Sequence, residues 1–221
     1  MGNQFAEATA PIVTTAQDGE AYYRYMKDKG LDLGVCEGWQ YRYADMLDGV
    51  FSIKGKRILD LGAAMGALTW PMRQAGADAW GIEINPYLVR ETPIKEIRGY
   101  LLLGDLVDVM RQFKVGSFDL VHASQTLEHI APERQPDIFG EIARILRLGG
   151  FLFAAMPMRD PPPEGVADYE DPTHLCIRPK VWWEQFQRLG FRDAPIEYEA
   201  MLEITTMFQE YRWTHLLWEA A

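Results

Sequence analysis

A five-residue run, Arg57-Ile58-Leu59-Asp60-Leu61, meets the turn Gly62-Ala63-Ala64-Met65-Gly66 and then a stretch, Ala67–Ala75, that reads as helix. Few local patterns restrict a fold as much. A strand that passes at once through a glycine turn into a helix is the opening half of a β-α-β crossover, and such crossovers build parallel sheets. The pattern repeats downstream. Ala79–Ile84, Tyr100–Leu103, Phe118–Ala123 and Gly150–Ala155 read as strands, with a partial helix over Pro86–Ile97 and helices over Val107–Phe113 and Gln135–Leu146 between them. In the last of these helices Ile138, Ile142, Ile145 and Leu146 share one face, which suits packing on a sheet. The fold class this predicts is α/β, with a doubly wound, mostly parallel sheet.

The flanks differ in character. Between Gly19 and Val50 the chain is rich in aromatic residues, Tyr22, Tyr23, Tyr25, Trp39, Tyr41 and Tyr43 among them, and two short helices fit. Residues 1–53 are therefore expected to form a helical extension or cap on a ligand-binding domain over 54–221. Residues 157–179 are proline-rich, acidic and without period, as a lid or binding loop would be. Val181–Leu189 reads as a helix. Ala194–Ala200 and Trp213–Trp218 read as strands that could pair antiparallel at one side of the sheet.

Composition narrows the partners. With 221 residues the chain has room for one sizeable domain and additions. A formal net charge of −10 opposes phosphate backbones and anionic lipids, and no basic cluster offsets it, so neither nucleic acid nor membrane is expected as a partner. The two cysteines, Cys36 and Cys176, lie far apart in no metal-binding spacing, as in a reducing compartment. No apolar run approaches the roughly 20 residues of a membrane span, and no export signal opens the chain. A cytoplasmic location is the expectation.

In a parallel sheet, ligands bind beyond the carboxyl ends of the strands, where the strand order reverses. Glycine lets the backbone come close to a ligand there, and the helix that follows offers free N–H groups. Each of the first three strands ends near an acid: Asp60 before the turn, Glu83 in Gly81-Ile82-Glu83-Ile84-Asn85, and Asp105 in Gly104-Asp105-Leu106. An ionised carboxylate only accepts, so Glu83 suits the two hydroxyls of a ribose and Asp105 the amino group of an adenine. A nicotinamide dinucleotide, and hence an NAD-dependent oxidoreductase, is a rival reading. Against it, Gly62-x-x-x-Gly66 lacks the GxGxxG pattern, and Asp60 beside the turn suits an ammonium group better than a pyrophosphate.

These segments together resemble the class I S-adenosylmethionine-dependent methyltransferases, in particular the small-molecule group whose first motif reads like LDLGCGTG. Here that motif is Leu59 to Gly66, followed in order by GIEIN, GDL, FDLVHASQTLEHI and LRLGGFLFAAMP. The likeness runs from about Lys56 to Phe191. It implies a Rossmann-like, seven-stranded sheet with an antiparallel C-terminal strand, and S-adenosylmethionine as methyl donor with S-adenosylhomocysteine as product. It also implies residue roles. Asp60, Gly62, Ala63, Ala64 and Gly66 would surround the methionine part of the donor. Glu83 and Ile84 would meet the ribose, Gly104, Asp105 and Leu106 the adenine, and Ala123 and Ser124 the sulfonium. Ala63 and Ala64 depart from the family's Cys and Gly, which keeps open a donor-binding partner or scaffold subunit without catalysis. Pro71 is expected to bend the first helix.

Methyl transfer to oxygen or nitrogen is helped by a general base. His129, after the fourth strand, and His174, with Asp171 to orient its ring, are the candidates. His122 lies within the fourth strand and reads as structural, and His215 reads as remote from the site. No metal is expected, because Gln125 stands where quinone-pathway O-methyltransferases carry a glutamate. The expected function is methyl transfer to O or N of a small molecule, a sugar or secondary metabolite.

Overall fold

The computed structural model describes residues 16–28, 38–157, 179–194 and 213–220. Its strands are β1 (Arg57–Leu61), β2 (Asp78–Glu83), β3 (Leu101–Leu103), β4 (Phe118–Ser124), β5 (Leu146–Pro157), β6 (Phe191–Asp193) and β7 (Trp213–Ala220). They form one seven-stranded sheet in the order β3-β2-β1-β4-β5-β7-β6. β1 to β5 pair in parallel, and β7 runs antiparallel to both β5 and β6. The fold is thus the α/β, Rossmann-like sheet with a reversed C-terminal strand. The helices are α1 (Ala16–Asp28), α2 (Gly38–Phe51), α3 (Thr69–Gln74), α4 (Pro86–Glu91), α5 (Leu106–Met110), α6 (Gln135–Ile145) and α7 (Pro179–Arg188).

The pleat sorts the core into two layers, because successive side chains of a strand face opposite ways. Leu59 and Leu61 of β1 join Ile82, Val121 and Leu152 under α5, α6 and α7, where Phe139, Ile142, Trp182 and Phe186 pack. Ile58 of β1 joins Ala79, Leu120 and Phe153 on the other side, under Tyr43 and Leu47 of α2 and Met72 of α3. Each fully buried Leu, Ile or Phe of these layers contributes about 1.5–3 kcal/mol relative to exposure.

Several boundaries differ from the sequence expectation, for local reasons. The partial helix of 86–97 is Pro86–Glu91. Pro93 disfavours helical geometry in the residue before it, and Thr92 is extended at φ −52°, ψ 128°. The chain resumes as a 3₁₀ turn, Lys95–Tyr100. β5 starts at Leu146, directly after α6, and its pairing with β4 shifts register between Phe118 and Leu120. Pro71 costs no helical bond. α3 begins at Thr69, so Pro71 sits in the first turn, whose N–H groups have no intrahelical partner. Among the described residues, the strand Phe191–Asp193 pairs with β7. Ala194 lies just past it, and residues 195–200 lie outside the described residues, as does the expected lid over 158–178.

Candidate functional site

The order of strands reverses between β1 and β4, and a cleft of about 300 Å³ opens beyond their carboxyl ends. The turn after β1 forms one wall. Gly62 has φ 68°, and a Cβ there would come within 2.5 Å of Thr126 Oγ1, which donates to Leu61 O at 2.7 Å. Only glycine permits both the conformation and the approach. Ala63 is buried against Gly81 of β2, and Gly66, at φ 82°, is packed on Ile97. Ala64 adopts φ 49°, a left-handed conformation rare for a residue with a side chain. The substituted turn therefore keeps a glycine-like shape. Its reward is one bond: the Ala64 N–H donates to Glu83 Oε2 at 2.9 Å.

Glu83 ends β2 and lines the cleft. Its Oε1 accepts from the Asn85 N–H at 2.8 Å, so two backbone donors hold the carboxylate from behind. A carboxylate has about four lone-pair directions, so these bonds leave it able to accept from a hydroxyl donor as well. Burial pushes the Glu83 carboxyl up from its usual value. The backbone N–H bonds of Asn85, Ala64 and Ile84 oppose this, and the Asp60 charge adds to it. Beside it Ile84 stands 54% exposed, and with Leu106, Ile130 and Ile138 it gives the cleft apolar walls. Asn85 caps α4, its Oδ1 accepting from the Tyr87 N–H.

Asp105 lines the far end but is not open. Its Oδ1 accepts from the Val107 N–H at 3.0 Å, capping α5, and Arg134 Nη2 lies 2.8 and 2.7 Å from its two oxygens. An adenine amino group would share this acid with a guanidinium. Gly104 ties the two tips together, its N–H donating to Glu83 O at 2.9 Å.

Asp60 does not meet the expectation. β1 runs on through Leu61, so Asp60 shares the face of Ile58 and points into the layer under α2 and α3. It is 3% exposed and absent from the cleft wall. Oδ2 accepts from Thr69 Oγ1 at 2.6 Å, and Oδ1 meets Nδ1 of His122 at 2.7 Å, its register partner across β1 and β4. Nε2 of His122 meets the Tyr43 hydroxyl at 2.8 Å. Burial, and then the Asp60 charge, raise the Tyr43 hydroxyl well above its usual pKa, so it stays protonated and donates to His122. The Asp60 carboxylate accepts, so the Nδ1–H of His122 donates to it. An ammonium group of a ligand has no access to this carboxylate.

At the tip of β4, Ala123 is buried and Ser124 half-buried, paired with Ala154 and Ala155 of β5. Gln125 follows with φ 54°, its N–H donating to Ala155 O at 2.7 Å and its Nε2 buried without a partner. His129 closes the 3₁₀ turn Leu127–His129 and lines the cleft, half-buried. His174 and Asp171 lie outside the described residues. The backbone of His215 is nearer than expected. It pairs with Ala155, which pairs with Ser124, so two strand spacings, about 10 Å, separate the first from the last. The sequence reading missed Thr126, Ile130, Ala131, Arg134 and Ile138, which all line the cleft. Their wall is held by Gln135, whose Nε2 donates to Ile130 O while its Oε1 accepts from Trp182 Nε1 of α7. A proline-bounded segment ahead of an amphipathic helix, Ala131 to Pro136, was the only signal.

The cleft suits a nucleoside with a hydroxyl-bearing sugar at Glu83 and apolar walls for a base. Residues 59–154 match the family described as methyltransferase domain. The ubiquinone biosynthesis O-methyltransferase of Dechloromonas aromatica is 31% identical over 126 residues, 53% of this chain and 51% of that one. The chain thus spans about half the length of the curated relatives it matches. A SAM-dependent methyltransferase of Archaeoglobus fulgidus superposes with a TM-score of 0.65 at 16% identity, over 90% of this chain and 99% of that one. Phosphoethanolamine N-methyltransferase 2 of Haemonchus contortus, solved with S-adenosyl-L-methionine, superposes with a TM-score of 0.60 at 15% identity, over 93% and 57%. The strand order and the match over residues 59–154 converge: the core of this chain has the fold of the class I S-adenosylmethionine-dependent methyltransferases and matches their methyltransferase-domain family.

Proposed function

We propose that the protein transfers a methyl group from S-adenosylmethionine to an oxygen or nitrogen of a small molecule, leaving S-adenosylhomocysteine. The observation that carries the donor half is Glu83, fixed from behind by two backbone N–H groups and facing an apolar-walled cleft. The donor, when bound, supplies a methyl group already activated on a sulfonium. The chain's part is to hold and align. Glu83 accepts the ribose hydroxyls, Ile84 and Leu106 flank the base, Asp105 shares its carboxylate between Arg134 and the amino edge, and the Gly62–Gly66 turn brings the backbone close. Ala123 and Ser124 end the central strand where the reacting atoms would meet. Alignment of this kind is worth many orders of magnitude in effective concentration.

A hydroxyl or ammonium acceptor must also lose a proton. Among the described residues His129 is the titratable group on the cleft wall placed to take it, with His174 and Asp171 as the second assignment. His129→Ala is expected to lower kcat by about 10²–10⁴-fold while leaving S-adenosylhomocysteine affinity within a few-fold of wild type. His174→Ala with the same loss would move the role there. The relatives support a small acceptor by what their names say: one belongs to ubiquinone biosynthesis, another methylates phosphoethanolamine. The net charge of −10 argues against nucleic acid, and no helix among the described residues is long and apolar enough to cross a membrane.

The test is isotopically labelled donor offered with panels of sugars, phenols and amines, read by mass spectrometry. A labelled product establishes the transferase. Donor binding with no product from any panel favours the donor-binding partner without catalysis.

A further inference from the structure

Asn85 ties the carboxylate at the donor cleft to the N-terminal helix. Asn85 is 1% exposed and bonds in three directions. Its N–H holds Glu83 Oε1 at 2.8 Å, its Oδ1 caps α4 at Tyr87, and its Nδ2 donates to Gly19 O of α1 at 3.1 Å. The approach of α1 is so close that a Cβ at Gly19 would fall on the Asn85 carboxamide. One turn on, the Tyr23 ring packs 5.7 Å from that of Tyr87.

We propose that docking of α1 and binding of the donor are coupled through Asn85, which acts as a positioning residue; this rests on the reading of Glu83 as the ribose ligand. An isolated helix of 13 residues is marginal in water, so α1 owes its order to packing on the domain, of which the Asn85–Gly19 bond and the Tyr23–Tyr87 contact are part. Ribose hydroxyls on Glu83 fix the carboxylate. The carboxylate fixes the Asn85 main chain, and the Asn85 side chain is then held in register for Gly19. The same links run in reverse, so a docked α1 presents Glu83 ready for the sugar. Linkage requires the two effects to be equal in size. The amide of Asn85 serves this purpose in a way that the cap does not need, since serine caps a helix about as well.

The experiment is hydrogen exchange by mass spectrometry on the full chain, with and without S-adenosylhomocysteine, together with its Kd by calorimetry, for wild type, Gly19→Ala and Asn85→Ser. The first variant pushes α1 away without touching the cleft. The second keeps a cap for Tyr87 but is too short to reach Gly19. In the wild type the ligand is expected to slow exchange in peptides of residues 16–28. Both variants are expected to exchange faster there and to bind S-adenosylhomocysteine about five-fold or more weakly, with sheet peptides protected as in wild type. Ligand binding that leaves α1 exchange unchanged overturns the coupling, and so do variants with a loosened α1 and wild-type Kd. Failure of the wild type to bind S-adenosylhomocysteine overturns the donor-site reading and this inference with it.

Discussion

Glu83 and Ala64 show how much a single residue decides here. Burial raises the Glu83 carboxyl, so its ionised form is costly in the folded protein without ligand. The sign follows from linkage. The stability this group contributes is fully present below its unfolded-state pKa and is lost as pH rises through the raised folded value. Donor affinity moves the other way, because the hydroxyls need the ionised acceptor, and it falls as pH drops through that same raised value. Glu83→Ala is expected to weaken S-adenosylhomocysteine by about 2–4 kcal/mol, roughly 30- to 1000-fold, and to flatten the acid limb of Kd against pH in calorimetry. Ala64 holds φ 49° at a left-handed position that costs a residue with a Cβ about 1–2 kcal/mol. Glycine removes that strain but loses more chain entropy on folding. Ala64→Gly is thus expected to stabilise by about 0.5–1 kcal/mol in urea denaturation, with the Glu83 bond retained.

At the scale of elements, one buried chain of bonds crosses the whole layer above β1. It runs from Tyr43 of α2 through His122 of β4 and Asp60 of β1 to Thr69 of α3. Every member is satisfied, and that is why the buried carboxylate is tolerated. Breaking the middle leaves a charge without its partner. Leucine is close to histidine in volume, so His122→Leu removes the bonds and little else, and it is expected to cost about 1–3 kcal/mol or more in denaturant unfolding. Tyr43→Phe removes one neutral bond and is expected to cost about 1–2 kcal/mol. The position of Asp60 was legible from alternation alone. Ile58 and Asp60 share a parity, Leu59 and Leu61 the other, and the strand does not end at the acid. The sequence reading had the strand at Arg57–Leu61, as observed, and placed Asp60 at the ligand because it weighed the acid's nearness to the glycine turn and not the face its parity gives it.

For the molecule as a whole, the nucleotide cleft is an effect of topology. It lies where β1 has β2 on one side and β4 on the other, and its walls come from segments 62, 83, 105 and 126–138 that meet only in the sheet. A ligand that binds the folded protein and not the unfolded chain stabilises it by mass action. S-adenosylhomocysteine at 100 times its Kd adds about 2.7 kcal/mol, which for a chain of this size raises Tm by about 5–11 °C. NADH is expected to leave Tm unchanged, and a comparable shift with NADH would return the dehydrogenase reading.

The sequence by itself determined the class of fold, the order of strands and helices, the glycine turn and the acid at Glu83. Those features are written in short-range patterns: alternation with period two, helical periodicity, glycine where the backbone turns, an acid at a strand tip. Tertiary structure alone decided what each polar group meets. It gave Asp105 to Arg134, Asp60 to His122, and Glu83 to the backbone of Ala64 and Asn85, and it brought α1 onto Asn85. Hydrogen bonds and ion pairs act over about 3 Å, and the partners here lie as far as 66 positions apart along the chain, so only the packed sheet could bring them within reach.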